Sequence, residues 1–464
     1  MSGTSDLPAV LVIDVGTSST SAVLVAGGET RMLPEPVSGA YAWPSAVYWD
    51  GQQMLVGTLA ERKKRADPAG YGEDFKSNLS QDTAVQLGAR RFRPVEQMAA
   101  VLATLRAEAE RLHEGPVIRA VVTVPASYAT GDPRRAWMIA AAEAAGFTTV
   151  ELLPEPVAAA FAPLTGAGFH QGDLVLLYDL GGGTFDTALM RIGATAPEVL
   201  GHNAVDNCGG RHIDALLASR IAADGRQWLD PLVAGAGATR PPAGPDTPAP
   251  TASPATLRLT MAVNEFAQRI KHQLSDAPMV EDFLMPTTPA YRMTRDELAA
   301  LAAPVLDRTV ACCRELLDRL GVPVERINTV LLVGGGSRMP AVTDTLARSL
   351  GRPLRRAEEP ELATVRGAAH WLTYSGARMV PATVAPGRTL PLGFAVPGGS
   401  ARLLRWFVEP GDRYPAGQPL ARVRLPGGAL WDLTAAADGV IDRLLVSAGV
   451  DVTAHQWLAL SRQP

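Results

Sequence analysis

Two short segments of this chain carry residue types suited to handling phosphate. Ile13-Asp14-Val15-Gly16-Thr17-Ser18 and Tyr178-Asp179-Leu180-Gly181-Gly182-Gly183-Thr184 each run an apolar strand into Asp, an apolar residue and a Gly/Thr turn. Glycines let backbone N–H groups approach phosphate oxygens closely, and hydroxyls add donors. A carboxylate at a strand end suits Mg2+, which usually keeps several of its waters. One such segment reads as an ordinary hairpin turn. Two, each flanked by strands and facing each other, would clamp a triphosphate from both sides. Ammonium chemistry has few candidates, because Lys63, Lys64, Lys76 and Lys271 are the only lysines.

The elements that must hold these turns follow from periodicity. Ala9–Val15 with Ser21–Val25 predicts one hairpin, and Leu174–Leu180 with Thr187–Ile192 a second. Between them the pattern predicts a helix over Val95–His113, a strand over Ile118–Val124 and a helix over Pro133–Ala145 closed by Gly146. Helical spacing returns at Arg211–Asp224, Leu257–Leu274 and Arg295–Leu320. The strand Thr329–Val333 then leads through Gly334-Gly335-Gly336 to a last helix, Met339–Leu350. This alternation predicts an α/β architecture with parallel sheet. Pro231–Pro254 is nearly all Pro, Ala, Gly and Thr, too poor in apolar surface to offset its ordering entropy, and predicts a flexible loop. After Thr373, short strands with Gly/Pro turns predict a small all-β domain. Inside it, Val408, Gly411, Ala416, Gln418 and Leu420 recur 38 residues later as Val446, Gly449, Ala454, Gln456 and Leu458, which predicts two similar halves about an approximate two-fold axis.

A chain of 464 residues, 47% hydrophobic, has material for about three folded units and is not wholly disordered. The net charge of −4 provides no general basic surface for nucleic acid or an anionic membrane. Cys208, Cys312 and Cys313 form neither a metal spacing nor a disulfide framework, and the adjacent pair is expected to divide between core and rim of a helix. No signal peptide and no apolar run of membrane-spanning length is read, so the expectation is a soluble cytoplasmic protein.

In this order the motifs resemble the seventy-kilodalton heat-shock chaperones. Asp179-Leu180-Gly181-Gly182-Gly183-Thr184-Phe185-Asp186 is similar to their second phosphate signature, Ile13–Ser19 to the first, and Val333-Gly334-Gly335-Gly336-Ser337-Arg338-Met339-Pro340 to the adenosine signature. Val124-Pro125-Ala126, Glu155-Pro156-Val157-Ala158-Ala159-Ala160, and Leu274-Ser275 after Lys271 also fall in order, so the resemblance covers about Pro8 to Leu372. It implies the actin-like ATPase fold, two ribonuclease-H-like lobes (about 8–172 and 173–375) around a nucleotide cleft, and hydrolysis of ATP to ADP and phosphate coupled to lobe closure. By the same resemblance Asp14 and Asp179 hold Mg2+, largely through water. Thr17, Ser18, Gly182, Gly183 and Thr184 contact the β- and γ-phosphates, with Gly16 and Gly181 in the same turns. Gly334, Gly335, Gly336 and Arg338 surround the adenine with Lys271 and Ser275. Lys76, after Phe75, falls where the family carries its catalytic lysine; a solvated surface charge is the alternative. Glu155 and Asp186 complete the water-positioning set, and Pro125 with Arg134 or Arg135 resembles the family's relay between lobes.

The sequence also departs from the family. Gln268 and His272 stand where its Glu and Arg flank the adenosine lysine, which implies weaker nucleotide contacts. After Gly367-Ala368-Ala369 the acidic linker, the peptide-binding β-sandwich and the helical lid are missing from the pattern. Residues 385–464 instead resemble the biotinyl/lipoyl carrier fold, a barrel-sandwich, through Phe407-Val408-Glu409-Pro410-Gly411-Asp412 and Asp438-Gly439-Val440-Ile441. Pro426-Gly427-Gly428 occupies the hairpin tip where a carrier needs lysine, and no lysine follows Lys271, so lipoylation and biotinylation are excluded. The leading expectation is therefore a chaperone-like ATPase whose C-terminal domain meets a protein client or partner, with a nucleotide-exchange factor as a further candidate partner. A sugar-kinase-like phosphotransferase of the same superfamily and a non-hydrolysing nucleotide-gated scaffold remain open.

Overall fold

Every residue of the strand Val10–Val15 except Asp14 is apolar because the strand is covered on both faces, and the same holds for Leu174–Leu180 except at Asp179. The computed structural model describes residues 9–80, 83–128, 132–165, 168–194, 196–229, 254–375, 389–393, 400–435, 438–453 and 457–462. The chain divides into two units, Met1–Gly376 and Ala377–Pro464.

Among the described residues, the two largest sheets of the first unit are built on one plan. Val10–Val15 pairs antiparallel with Ser19–Ala26, which pairs antiparallel with Glu29–Met32; on its other side it pairs parallel with Arg119–Val124, and that strand with Thr149–Pro154. Leu174–Leu180 repeats this, antiparallel to Phe185–Ile192 and then Pro197–Val205, and parallel to Thr329–Val333 and then Leu354–Arg356. The sheets are thus mixed: the expected parallel pairing is present on one side of each central strand, and the two expected hairpins supply antiparallel neighbours on the other. A tight Asp-Gly turn can join only antiparallel neighbours, whereas the parallel pairs need helical crossovers.

Period-two alternation divides the central strand between two cores. Leu174, Leu176, Tyr178 and Leu180 pack with the helices Gly210–Asp224, Pro254–Asp276 and Arg295–Arg319, while Val175 and Leu177 join Ala159, Ala162 and Val333. Asp179 continues the second set, toward the helix Glu155–Ala160. The expected loop 231–254 lies outside the described residues except at Pro254, where a helix begins. Met339–Leu350 is not the last helix: Pro340–Leu350 is followed by Ala363–Ser375. The small residues that hide this helix from periodicity are those that pack it, since a Cβ on Gly367 would strike the Ala158 carbonyl of Glu155–Ala160. Cys312 and Cys313 are both core residues rather than core and rim, at 2% and 0% exposure. Among the described residues no helix is long and apolar enough to cross a membrane.

Among its described residues the second unit forms two four-stranded sheets. One runs Thr389–Gly393, Trp457–Arg462, Gly439–Leu444, Arg413–Tyr414; the other Leu430–Thr434, Pro419–Arg424, Ser400–Trp406, Asp451–Thr453. The 38-residue repeat exchanges the sheets: Pro419–Arg424 maps onto Trp457–Arg462 and Arg413–Tyr414 onto the start of Asp451–Thr453. Hydrogen bonds obey the same exchange, for Gly411 N–H donates to the Ile441 carbonyl and Gly449 N–H to the Leu403 carbonyl, both at 2.7 Å. Leu403, Leu420, Val423, Ile441, Val452 and Leu458 from the two sheets share one core.

Candidate functional site

Both Asp-bearing hairpins close with the same bond. Gly16 N–H donates to the Ser19 carbonyl at 2.9 Å, and Gly181 N–H to the Thr184 carbonyl at 3.1 Å. The turns also meet each other. A Cβ on Gly182 would overlap the Ser18 hydroxyl, and one on Gly183 would lie 3.0 Å from Thr17 Cγ2. Any side chain at either glycine would push the turns apart, so glycine here is a requirement of close approach. Asp14 accepts from Thr123 Oγ1 at 2.6 Å, and Asp179 sits directly across its hairpin from Asp186.

Lys76 is not a solvated surface charge. It is buried at 8% exposure, and its Nζ donates to Oε1 of the equally buried Glu155 at 2.9 Å. Burial works against the ammonium, but the Glu155 and Asp14 carboxylates overcome that and raise its pKa. Glu155 itself is pushed up to about 7 by burial, with Lys76 opposing and Asp14 and Asp186 adding to the rise. Asp179 is raised well above the usual carboxylate range by burial and then by Glu155, Asp186 and Asp14. Burial also raises Asp186, against Lys76 and a hydrogen bond with Thr184. Glu155, Asp179 and Asp186 line one small cavity with Pro156, Thr187 and Asn203.

Four carboxylates around one ammonium, with Glu155 and Asp179 raised by burial and by the charges of their neighbours, form a site short of positive charge. Among the described residues no three His, Cys, Asp or Glu side chains converge to hold a metal by themselves. Such an excess of carboxylate oxygens fits Mg2+, which takes one or two carboxylates and fills its remaining positions with water and phosphate oxygens.

The glycine turn expected for adenosine is pressed onto the end of the Asp179 strand. Gly334 has φ 77°, and a Cβ there would strike the Asp179 carboxylate and the Leu180 carbonyl. A Cβ on Gly336 would meet the Leu180 side chain at 2.6 Å, whereas Gly335 is open apart from Glu361 at 3.7 Å. The two expected adenosine cations are already paired. Arg338 donates to both oxygens of Glu361 at 2.8 and 2.6 Å, and Lys271 Nζ to Asp214 Oδ2 at 2.8 Å and the Gly210 carbonyl at 3.0 Å. Ser275 Oγ turns back to the Lys271 carbonyl at 3.4 Å. Gln268 is exposed on the same helix, and burial with the charges of Lys271 and Arg338 holds the His272 imidazole below its usual pKa. Arg134 donates to the Ser127 carbonyl at 3.3 Å and Arg135 to the Tyr128 carbonyl at 3.2 Å, so both arginines hold the residues just after Pro125.

Sequence reasoning missed Asp74, Thr123, Arg211, Asp214 and Glu361. Thr123, Arg211, Asp214 and Glu361 meet Asp14, Thr17, Lys271 and Arg338, and Asp74 meets Arg211; the local signal was Gly209-Gly210 ahead of Arg211 at a helix start.

Similarity to known proteins follows the same residues. The chain is 31% identical over 379 residues to a protein described as "Chaperone protein HscA homolog" from Pseudomonas fluorescens (strain SBW25), a match covering 77% of this chain and 56% of that protein. The chain thus spans little more than half the length of this curated relative. The family described as "Hsp70 protein" matches residues 10–228 and 253–379, breaking where the Pro/Ala/Gly stretch lies. Those two spans hold both Asp turns, the Lys76–Glu155 pair and the glycine turn on Asp179, and by them the chain belongs to the Hsp70 family, whose members bind and hydrolyse ATP.

Proposed function

We propose that this chain is a chaperone-like ATPase that hydrolyses ATP to ADP and phosphate with Mg2+ and passes lobe closure to its C-terminal unit. The observation that carries the reading is Lys76, one buried ammonium held by Glu155 among Asp14, Asp179 and Asp186 beside two turns in contact. Phosphoryl transfer asks for placement and charge rather than covalent work by the protein. The N–H groups and hydroxyls of 16–18 and 181–184 hold the β- and γ-phosphates. Asp14 and Asp179 would hold Mg2+, which when bound would supply positive charge to the phosphate oxygens. Lys76 Nζ stabilises charge developing on the γ-phosphate, while Glu155, Asp186 and Thr184 orient the attacking water. Adenosine lies against Gly334, Gly335 and Gly336, where Arg338, Lys271 and Ser275 gather.

The C-terminal unit is read as a biotinyl/lipoyl-like domain acting as a binding module. Its tip at 425–429, closed by the Gly428 N–H to the Leu425 carbonyl, has no lysine to modify. A protein client or partner would meet it, a nucleotide-exchange factor would act on the second lobe, and the compartment is the cytoplasm. Single-turnover hydrolysis with and without Mg2+ tests the function, with Mg2+-dependent ADP formation expected. ATP binding without turnover would mean a nucleotide-gated scaffold, and turnover only with glycerol or xylulose would mean a phosphotransferase.

A further inference from the structure

Arg211 stands where the two turns meet. It is the second residue of the helix Gly210–Asp224, and its backbone is tied to the second turn: Gly210 N–H donates to the Gly181 carbonyl at 2.9 Å and Arg211 N–H to the Gly182 carbonyl at 2.8 Å. From there the side chain reaches back over both turns. Nη2 donates to Asp74 Oδ1 at 2.6 Å and to the Thr17 carbonyl at 3.3 Å. A Cβ on Gly183 would lie 3.3 Å from Nη2, and one on Gly182 3.9 Å from Nε. The guanidinium therefore borders the space that Gly182 and Gly183 leave open.

Its bonding is incomplete. The Asp74 and Thr17 contacts both use Nη2, and Nε is buried with no hydrogen-bond partner in the protein. A buried charged donor left unmatched is costly, and a guanidinium is shaped to offer several donors to the oxygens of one phosphate. Asp74 is a poor permanent partner: its side chain is 42% exposed and offers a single oxygen. It also has φ 63°, uncommon for a residue other than glycine, and lies two residues before Lys76.

We propose that Arg211 binds the terminal phosphate of a nucleoside triphosphate and that Asp74 competes with that phosphate for it. The inference rests on the nucleotide reading above and deepens it. The γ-phosphate draws the guanidinium off Asp74 and satisfies Nε, so the second lobe grips the phosphate. The same exchange frees the segment that carries Lys76 in the first lobe, so arrival of the γ-phosphate is reported to the lysine that acts on it. No bond is made or broken in this step beyond the exchange of hydrogen-bond acceptors.

The test is calorimetric titration of the full chain with ATP, ADP and AMP in Mg2+, for wild type, Arg211→Ala, Arg211→Lys and Asp74→Asn. Arg211→Ala should weaken ATP about tenfold, ADP by much less and AMP not at all, as expected for loss of one charge-assisted phosphate contact. Arg211→Lys should recover part of the loss, because it keeps the charge without the fork. Asp74→Asn removes the competitor and should tighten ATP several-fold, a gain that misfolding cannot mimic. Equal losses for ATP and ADP in Arg211→Ala, or weaker ATP binding in Asp74→Asn, would overturn the proposal and leave the pair a structural strut between lobes. A wild-type chain that binds ATP alongside unchanged variants would overturn this inference alone; a wild-type chain that binds no nucleotide would overturn the function and this inference together.

Discussion

Asp179 and Asp186 stand directly opposite one another across the second hairpin, whereas Asp14, in the matching place on the first, faces Ser21. The duplicated turn is therefore unequal. The second hairpin carries an extra carboxylate, and like charges at opposed positions of an antiparallel pair repel.

Removing one of those charges should separate stability from function. Asp186→Asn should raise the nucleotide-free chain's stability by about 1 kcal/mol, read from the urea midpoint, while lowering ATP turnover. A fall in both quantities would show that Asp186 is held by compensating bonds and carries no repulsion.

The carboxylates also set a direction with pH. Glu155 is pushed up to about 7 from an ordinary 4.5, and Asp179 is raised well above 3.8. Between the unfolded and folded values the folded chain holds protons that the unfolded chain has released. Stability from these groups is fully present below the unfolded values and is lost as pH rises through the folded ones. In EDTA, the melting temperature should therefore fall from pH 5.5 to 8, and Glu155→Gln should flatten that decline. Parallel curves for the two proteins would remove Glu155 from the account.

Lys76→Ala should lower turnover roughly 10²–10³-fold with ATP affinity nearly unchanged, the loss of one transition-state contact. It also strands the buried Glu155 carboxyl, and breaking a buried pair costs about 3–5 kcal/mol. The double variant Lys76→Ala/Glu155→Gln should regain stability without regaining turnover. Denaturation and single-turnover rates measured on the same three proteins decide this, and recovery of turnover in the double variant would refute the assigned role.

Gly367→Val tests the helix missed by periodicity. A side chain there meets the Ala158 carbonyl, so Ala363–Ser375 must move off Glu155–Ala160, at a cost of about 1–3 kcal/mol for overpacking. A melting temperature within one degree of wild type would show that the two helices do not pack this closely.

Residues 385–464 should fold alone as a β unit, and its symmetry predicts matched substitutions. Gly411 and Gly449 have φ 99° and 92°, and a Cβ at either would meet nothing within 4 Å, so alanine costs only backbone strain. Gly411→Ala and Gly449→Ala should lower the fragment's melting temperature by similar amounts. A loss confined to one of them would break the two-fold relation.

Much of this protein was legible from residue order. Thr329–Val333 is a strand at the predicted bounds, both Asp turns lie at the ends of the predicted strands, and the 38-residue repeat reappears as exchanged strands. Such features are local: a turn needs glycine within a few residues, and a covered strand announces itself by an unbroken apolar run. The pairings were not legible. Lys76 meets Glu155 across 79 positions, Arg211 meets Asp74 across 137, and Lys271 spends its charge on Asp214. Ala363–Ser375 likewise declares itself only against Glu155–Ala160. A lysine has the same local pattern whether it faces water or a buried carboxylate. Only the crossovers that bring distant strand ends together decide which charge it meets, and with it whether the side chain is surface or site.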